Sequence, residues 1–204
     1  MEATVRQIWI PKIGEPEVLE IREAPDPEPK AGQVRVRVKA SGINFADILA
    51  RMGLYPDSPK LPAVVGYEVA GVVDGVGEGV EGFGDGDRVV CMTRFGGYSD
   101  VLCASQGAVR AIPDNLDFEG AASIPVNYLT AWLMLVQLGH VKTGDKVLVH
   151  ACAGGVGLSA VQICQHFGAE VIGTASAGKH QRLLEMGVSA CIDYRTQDFL
   201  EEVK

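Results

Sequence analysis

No apolar run in this 204-residue sequence approaches the roughly 18 residues that a membrane-spanning helix needs. Charged residues interrupt Met1 to Ile21 throughout, so no secretory signal pattern is present there. A cytoplasmic protein without a membrane span is expected. Paired cysteines are also missing. The five thiols (Cys91, Cys103, Cys152, Cys164, Cys191) are odd in number and form no CxxC. That argues against a disulfide framework or a zinc ribbon and leaves them as reduced, packed apolar groups. Nor is there a basic block. Eighteen basic residues face 26 acidic ones, a net charge of −8, with the acids scattered. A nucleic-acid surface needs clustered Lys and Arg, so none is expected.

The strongest signal present is Lys146 to Gly157, KVLVHACAGGVG. Val147, Leu148 and Val149 suit a buried parallel strand. Gly154, Gly155 and Gly157 follow, and then apolar residues recur at helical spacing from Leu158 to Phe167. A strand that turns through glycines into a helix aims free backbone N–H groups and a helix dipole at one spot. That spot suits a phosphate. Downstream, strand and helix alternate over 146–150, 157–167, 170–174, 178–186 and 190–193, with Gly168 and Gly187 placed to end the two helices. This pattern is a βαβαβ unit, half of a doubly wound dinucleotide fold. The chain is expected to be a fragment of a longer protein, lacking the second half.

Residues 1 to about 115 read differently. Gln33 to Lys39 (QVRVRVK) alternates valine with polar residues, as a strand with one buried face does. Thr4–Ile10, Leu19–Arg22, Tyr67–Val73, Arg88–Met92 and Gly97–Cys103 are further strand candidates. Glycines crowd the stretch from Gly75 to Gly86, which predicts tight turns. Many short strands with glycine turns predict a small β-barrel. Only Ser41 to Met52 looks helical. Asp117 can cap a short helix through Ala122. Pro125 is expected to break that helix, and Asn127 to Leu138 (NYLTAWLMLVQL) to form a buried apolar helix. The division between a β domain and an α/β domain is set at 1–122 and 123–204.

The end of the second α/β strand bears on which dinucleotide would bind. An Asp or Glu about 20 residues after the glycines commonly holds the ribose 2′-OH of NAD. Val171 to Leu184 (VIGTASAGKHQRLL) contains no acid and offers Ser176, Lys179, His180 and Arg182. A hydroxyl and a cation suit a 2′-phosphate, which points to NADPH. The four histidines (His140, His150, His166, His180) are not spaced as a metal set.

INFADILARMGLYP, VVGYEVAGVV, GDRV, HACAGGVGLSAVQ and GTASAGKH occur in that order. Together they resemble the zinc-free quinone oxidoreductase branch of the medium-chain dehydrogenase/reductase superfamily, with NYLTAW and GTASAGKH most similar to the vesicle amine transport protein-like reductases. The resemblance implies an N-terminal GroES-like β-barrel domain followed by an incomplete Rossmann domain (α+β, then α/β). It implies hydride transfer from NADPH to a quinone or an α,β-unsaturated carbonyl. Enoyl-thioester reduction, or a nucleotide-binding regulatory role with little turnover, stays open beside it.

The zinc-containing members of that superfamily carry Cys and His where this chain has Asn44 and Tyr67; Glu68 remains, but a single carboxylate cannot hold zinc, so no metal is implied. Asn44 would contact the nicotinamide ribose or the substrate, and Tyr55 would line the substrate cleft. Thr130 would bind the cofactor. The backbone of Gly154, Gly155 and Val156 would hold the pyrophosphate, Ser176 and Lys179 the 2′-phosphate, and Tyr194 would pack near the adenosine. A homodimer is implied for the full-length protein.

Overall fold

The computed structural model describes residues 4–204. They form two compact units that divide between Val126 and Asn127.

The first unit is built on antiparallel sheets. Strands β1 (Thr4–Trp9) and β2 (Glu20–Pro25) make a separate pair. Then come β3 (Gln33–Ser41), helix α1 (Phe45–Arg51), β4 (Glu68–Val76), β5 (Arg88–Met92), β6 (Val101–Ser105) and β7 (Val109–Ala111). Five of these strands pair in the order β6-β3-β4-β5-β7. The alternation in β3 works as its sequence predicts. Val34 and Val36 are fully buried with Val69, Val73, Val89 and Val109. On the other face, Arg35 and Arg37 grip Asp74 of β4 at 2.9 and 2.7 Å. Burying each such valine stabilises by about 1.5–3 kcal/mol.

Strand β4 runs further into the glycine-rich stretch than expected. Within it Gly71 permits close pairing, because a Cβ there would lie 2.2 Å from the Arg37 carbonyl oxygen beside a bulge in β3. Beyond it the chain turns, with Gly79, Gly82 and Gly86 in the left-handed region. Strand β7 is too short to show an alternating pattern, and it has no counterpart among the expected strands.

Asp117 caps helix α2 (Phe118–Ala122), accepting from the Gly120 N–H at 2.7 Å. Helix α2 ends before Pro125, as expected, and Pro125 itself opens helix α3 (Pro125–Trp132), two residues earlier than expected. A first-turn proline lacks only an N–H that would have no helical partner. The apolar stretch that follows is not one buried helix. It widens to π geometry over Leu133–Leu138, and Leu129, Trp132, Leu133, Met134 and Leu138 are exposed. Ala131 alone of Leu129–Leu138 is fully buried, because one helix face cannot bury so many large side chains.

In the second unit β8 (Lys146–Val149), α4 (Gly155–Phe167), β9 (Glu170–Thr174), α5 (His180–Glu185) and β10 (Ala190–Ile192) follow in turn. The strands are parallel in the order β10-β9-β8. Gly168 at φ +73° ends α4 and Gly187 at φ +88° follows α5, as their positions predict. The core joins Cys152, Val161, Cys164, Val171, Leu183 and Val188. A last short helix, α6 (Phe199–Glu202), is capped by Asp198. No helix among the described residues is long and apolar enough to cross a membrane.

Candidate functional site

In the second unit the glycine turn is pinned from below. Val149 pairs with Gly173, so the ends of β8 and β9 lie side by side. Thr174 then holds the turn twice: its Oγ1 accepts from the Ala151 N–H at 3.2 Å, and its carbonyl from the Cys152 N–H at 3.0 Å. Ala151 takes φ +51°, a conformation costly for any residue with a Cβ. The Ala151 carbonyl accepts from the Gly154 N–H at 2.8 Å. Helix α4 comes so close that a Cβ on Gly157 would sit 2.6 Å from the carbonyl oxygens of Ala151 and Cys152. One on Gly155 would sit 2.5 Å from the Asn127 side-chain oxygen.

Leu158 is the first α4 residue whose N–H reaches back within the turn, to the Gly154 carbonyl at 2.8 Å. The N–H groups of Gly155, Val156 and Gly157 precede it and have no acceptor inside the helix. Gly154 and Gly155 are exposed, so the cradle is open to a ligand.

Beside this turn, past the end of β9, the 175–179 loop carries half-buried Ser176 and exposed Lys179. Its shape is held by the Lys179 N–H on the Ser176 carbonyl at 2.9 Å and by His180 Nε2, 2.9 Å from the Ala175 carbonyl. Tyr194 follows β10 and is exposed. Thr130 lies on α3, three residues after Asn127, and is half-buried. Thr174 supports the turn and Asn127 lies against Gly155, both without any local sequence signal. Their roles depend on elements that meet only in the fold.

The first unit holds the other two expected residues. Asn44 caps α1 in an extended conformation, and its N–H is received by Asp47 Oδ2 at 2.8 Å. Asp47 is buried and also accepts from the Gly66 N–H at 3.2 Å and the Tyr98 hydroxyl at 2.8 Å. Burial, with the Asp47 charge second, pushes the Tyr98 hydroxyl far up, so it stays a donor. The Asn44 side-chain nitrogen donates to Glu68 Oε1 at 2.9 Å.

Tyr55 is half-buried, with its ring set edge-on to Tyr67 at 6.4 Å between centroids. The Tyr67 hydroxyl oxygen is buried without a hydrogen-bond partner among the described residues, and burial first of all raises its pKa to about 12. Neither Asn44 nor Tyr55 lines the apolar hollow of about 540 Å³ bounded by Ile8, Ile10, Ile21, Ile43 and Arg51. Among the described residues no group of three or more His, Cys, Asp or Glu could hold a metal ion. Sequence reasoning missed Asp47 and saw Glu68 only as an inadequate metal ligand. Their burial and most of their partners are set by residues far away in the chain, which no local signal carries.

A parallel βαβαβ unit with a glycine cradle after its first strand, preceded by an antiparallel β unit, defines a dinucleotide-binding architecture. Residues 30–122 match the alcohol dehydrogenase GroES-like domain family, and residues 155–204 match the zinc-binding dehydrogenase family. The chain belongs to the medium-chain dehydrogenase/reductase superfamily, with a GroES-like domain followed by a Rossmann-like one.

Among its relatives is the human synaptic vesicle membrane protein VAT-1 homolog, 46% identical over 187 residues, covering 91% of this chain and 48% of that protein. The solved quinone oxidoreductase of Escherichia coli, complexed with NADPH, superposes with a TM-score of 0.92 at 39% identity, covering 98% of this chain and 61% of that one. The CurK enoyl reductase superposes with a TM-score of 0.93 at 34% identity, covering 98% and 63%. The chain thus spans about half the length of the curated VAT-1 relatives it matches.

Proposed function

We propose that this chain binds NADPH in its second unit and serves a zinc-independent reduction of a quinone or an α,β-unsaturated carbonyl. One observation carries the reading. The open N-terminus of α4 lies beside a strand end that has Ser176 and Lys179 and no carboxylate. The N–H groups of Gly155 and Val156, with the α4 dipole behind them, suit a pyrophosphate. Lys179 suits the second negative group that distinguishes NADPH from NADH. A quinone oxidoreductase solved with NADPH supports the same cofactor.

When bound, the reduced nicotinamide supplies the hydride. The protein's own residues bind and orient. Thr130 and Tyr194 add contacts to the cofactor, Asn44 offers an amide, and Tyr55 contributes an aromatic wall for a flat substrate. Asn44 and Tyr67 offer neither thiolate nor imidazole beside Glu68, which favours chemistry without zinc.

Lys179→Ala tests the cofactor assignment. The dissociation constant for NADPH, read by fluorescence titration, should rise about tenfold while that for NADH stays unchanged. Equal losses for both would remove Lys179 from the 2′-phosphate. Turnover of 9,10-phenanthrenequinone against a 2-enoyl thioester separates quinone reduction from the second reading, enoyl-thioester reduction, which likeness to CurK favours. Tight NADPH binding with neither substrate consumed would mean a regulatory protein.

A further inference from the structure

Glu68 opens β4 and is fully buried. A carboxylate in such a place is costly unless N–H donors replace water around it. Both of its oxygens are engaged. Oε1 accepts from the Asn44 side-chain nitrogen at 2.9 Å and Oε2 from the Val126 N–H at 2.7 Å. Its own backbone carbonyl takes the Gly42 N–H at 3.0 Å. Gly42 packs so closely that a Cβ there would lie 2.2 Å from Oε1. Each Glu68 oxygen thus holds a donor already, and neither is open to solvent.

Its effect falls on Asn44. An ionised carboxylate only accepts, so the amide face turned to it must be the nitrogen. That fixes which way the Asn44 amide points. The backbone of Asn44 is already held by Asp47, so side chain and main chain are each anchored. An amide nitrogen carries two N–H groups, and Glu68 takes one. We propose that Glu68 is a positioning residue. It locks the Asn44 amide so that the second N–H donates to the carbonyl oxygen of the substrate. This rests on the reading of Asn44 as a site residue.

The test uses the full chain and the variants Glu68→Gln, Asn44→Ala and their combination. Glu68→Gln puts an amide where a pure acceptor stood, so one of the two donors loses its partner. NADPH-dependent reduction of 9,10-phenanthrenequinone should fall about tenfold in Glu68→Gln, as for one misoriented hydrogen bond. The double variant should be no slower than Asn44→Ala alone, because the two residues act as one unit. Losses that multiply, or a Glu68→Gln enzyme of wild-type rate, would overturn the proposal. The quinone KM should rise in Glu68→Gln; an unchanged KM would overturn the assignment to the substrate carbonyl.

Side-chain amide NMR of ¹⁵N-asparagine-labelled protein reads the lock without turnover. The two Asn44 protons should be well separated in the wild type and converge in Glu68→Gln. If the wild type fails to reduce either substrate, the functional reading falls while this spectrum still decides the role of Glu68. If Glu68→Gln does not fold, Glu68→Asp keeps the charge, stops one methylene short, and should show the same loss.

Discussion

The two units make their polar sites by opposite means. In the second unit the cradle is made by leaving side chains out: Gly154, Gly155 and Gly157 bring backbone N–H groups to the surface and let α4 touch the preceding turn. In the first unit two buried carboxylates gather donors from far along the chain. Asp47 reaches 19 residues to Gly66 and 51 to Tyr98, and Glu68 reaches 24 to Asn44 and 58 to Val126. A backbone-built site is local and tolerates no added atom. A carboxylate-built site is long-range and tolerates no lost acceptor.

The largest expected effect tests the second half of that contrast. Asp47→Ala removes the acceptor of three donors at once: the N–H groups of Asn44 and Gly66 and the Tyr98 hydroxyl. Each unsatisfied buried donor costs about 1–3 kcal/mol, so a loss of about 3–5 kcal/mol in urea denaturation is expected. A loss below about 1 kcal/mol would mean that water replaces the carboxylate, and the contrast between the units would weaken.

The glycine turn should respond to the reverse change. Gly157→Ala places a methyl group against two carbonyl oxygens and should cost about 1–3 kcal/mol. Gly178→Ala meets nothing within 4 Å and should stay within about 0.5 kcal/mol of wild type. Parallel urea curves for the two variants check this. Equal effects would show that the turn can shift and that Gly157 is not needed for close approach.

This locality explains what could be read in advance. The βαβαβ order, the glycine turn and the acid-free end of β9 are all signals carried within a few residues. So is the alternation of Val34 and Val36 with Arg35 and Arg37 in β3. The exposed flank of α3 was misjudged because apolar content measures what could be buried, and the fold decides what is. Pro125 was legible as the end of α2 and not as the start of α3, because a helix start and a helix stop tolerate proline alike from one side. Glu68 was legible as an acid and illegible as a clamp, since its partners lie 24 and 58 residues away. Of the candidate site, the glycines and Lys179 followed from sequence pattern, while Asp47, Asn127 and Thr174 required the fold.

The smallest effect separates buried from exposed acids by the sign of their pH dependence. Burial, its main cause, raises the Glu68 pKa above the ordinary glutamate range, although its two N–H donors oppose the rise. A carboxyl group with a raised folded-state pKa binds its proton more readily in the folded protein. Its stabilising contribution is present at low pH and lost as pH rises through the raised value. Asp100 is the reverse case. A hydrogen bond from the exposed Arg6 guanidinium, 2.8 Å away, holds its pKa below the usual range. Its contribution is present above the ordinary aspartate value of about 3.9 and lost as pH falls through the lowered one. The stability gap between wild type and Asp100→Asn should therefore be small at neutral pH and shrink on acidification. The gap between wild type and Glu68→Gln should widen over the same titration. Melting temperatures of the three proteins between neutral and acidic pH read both slopes. Slopes of the same sign would mean that the buried acid gains more from its donors than it loses by leaving water.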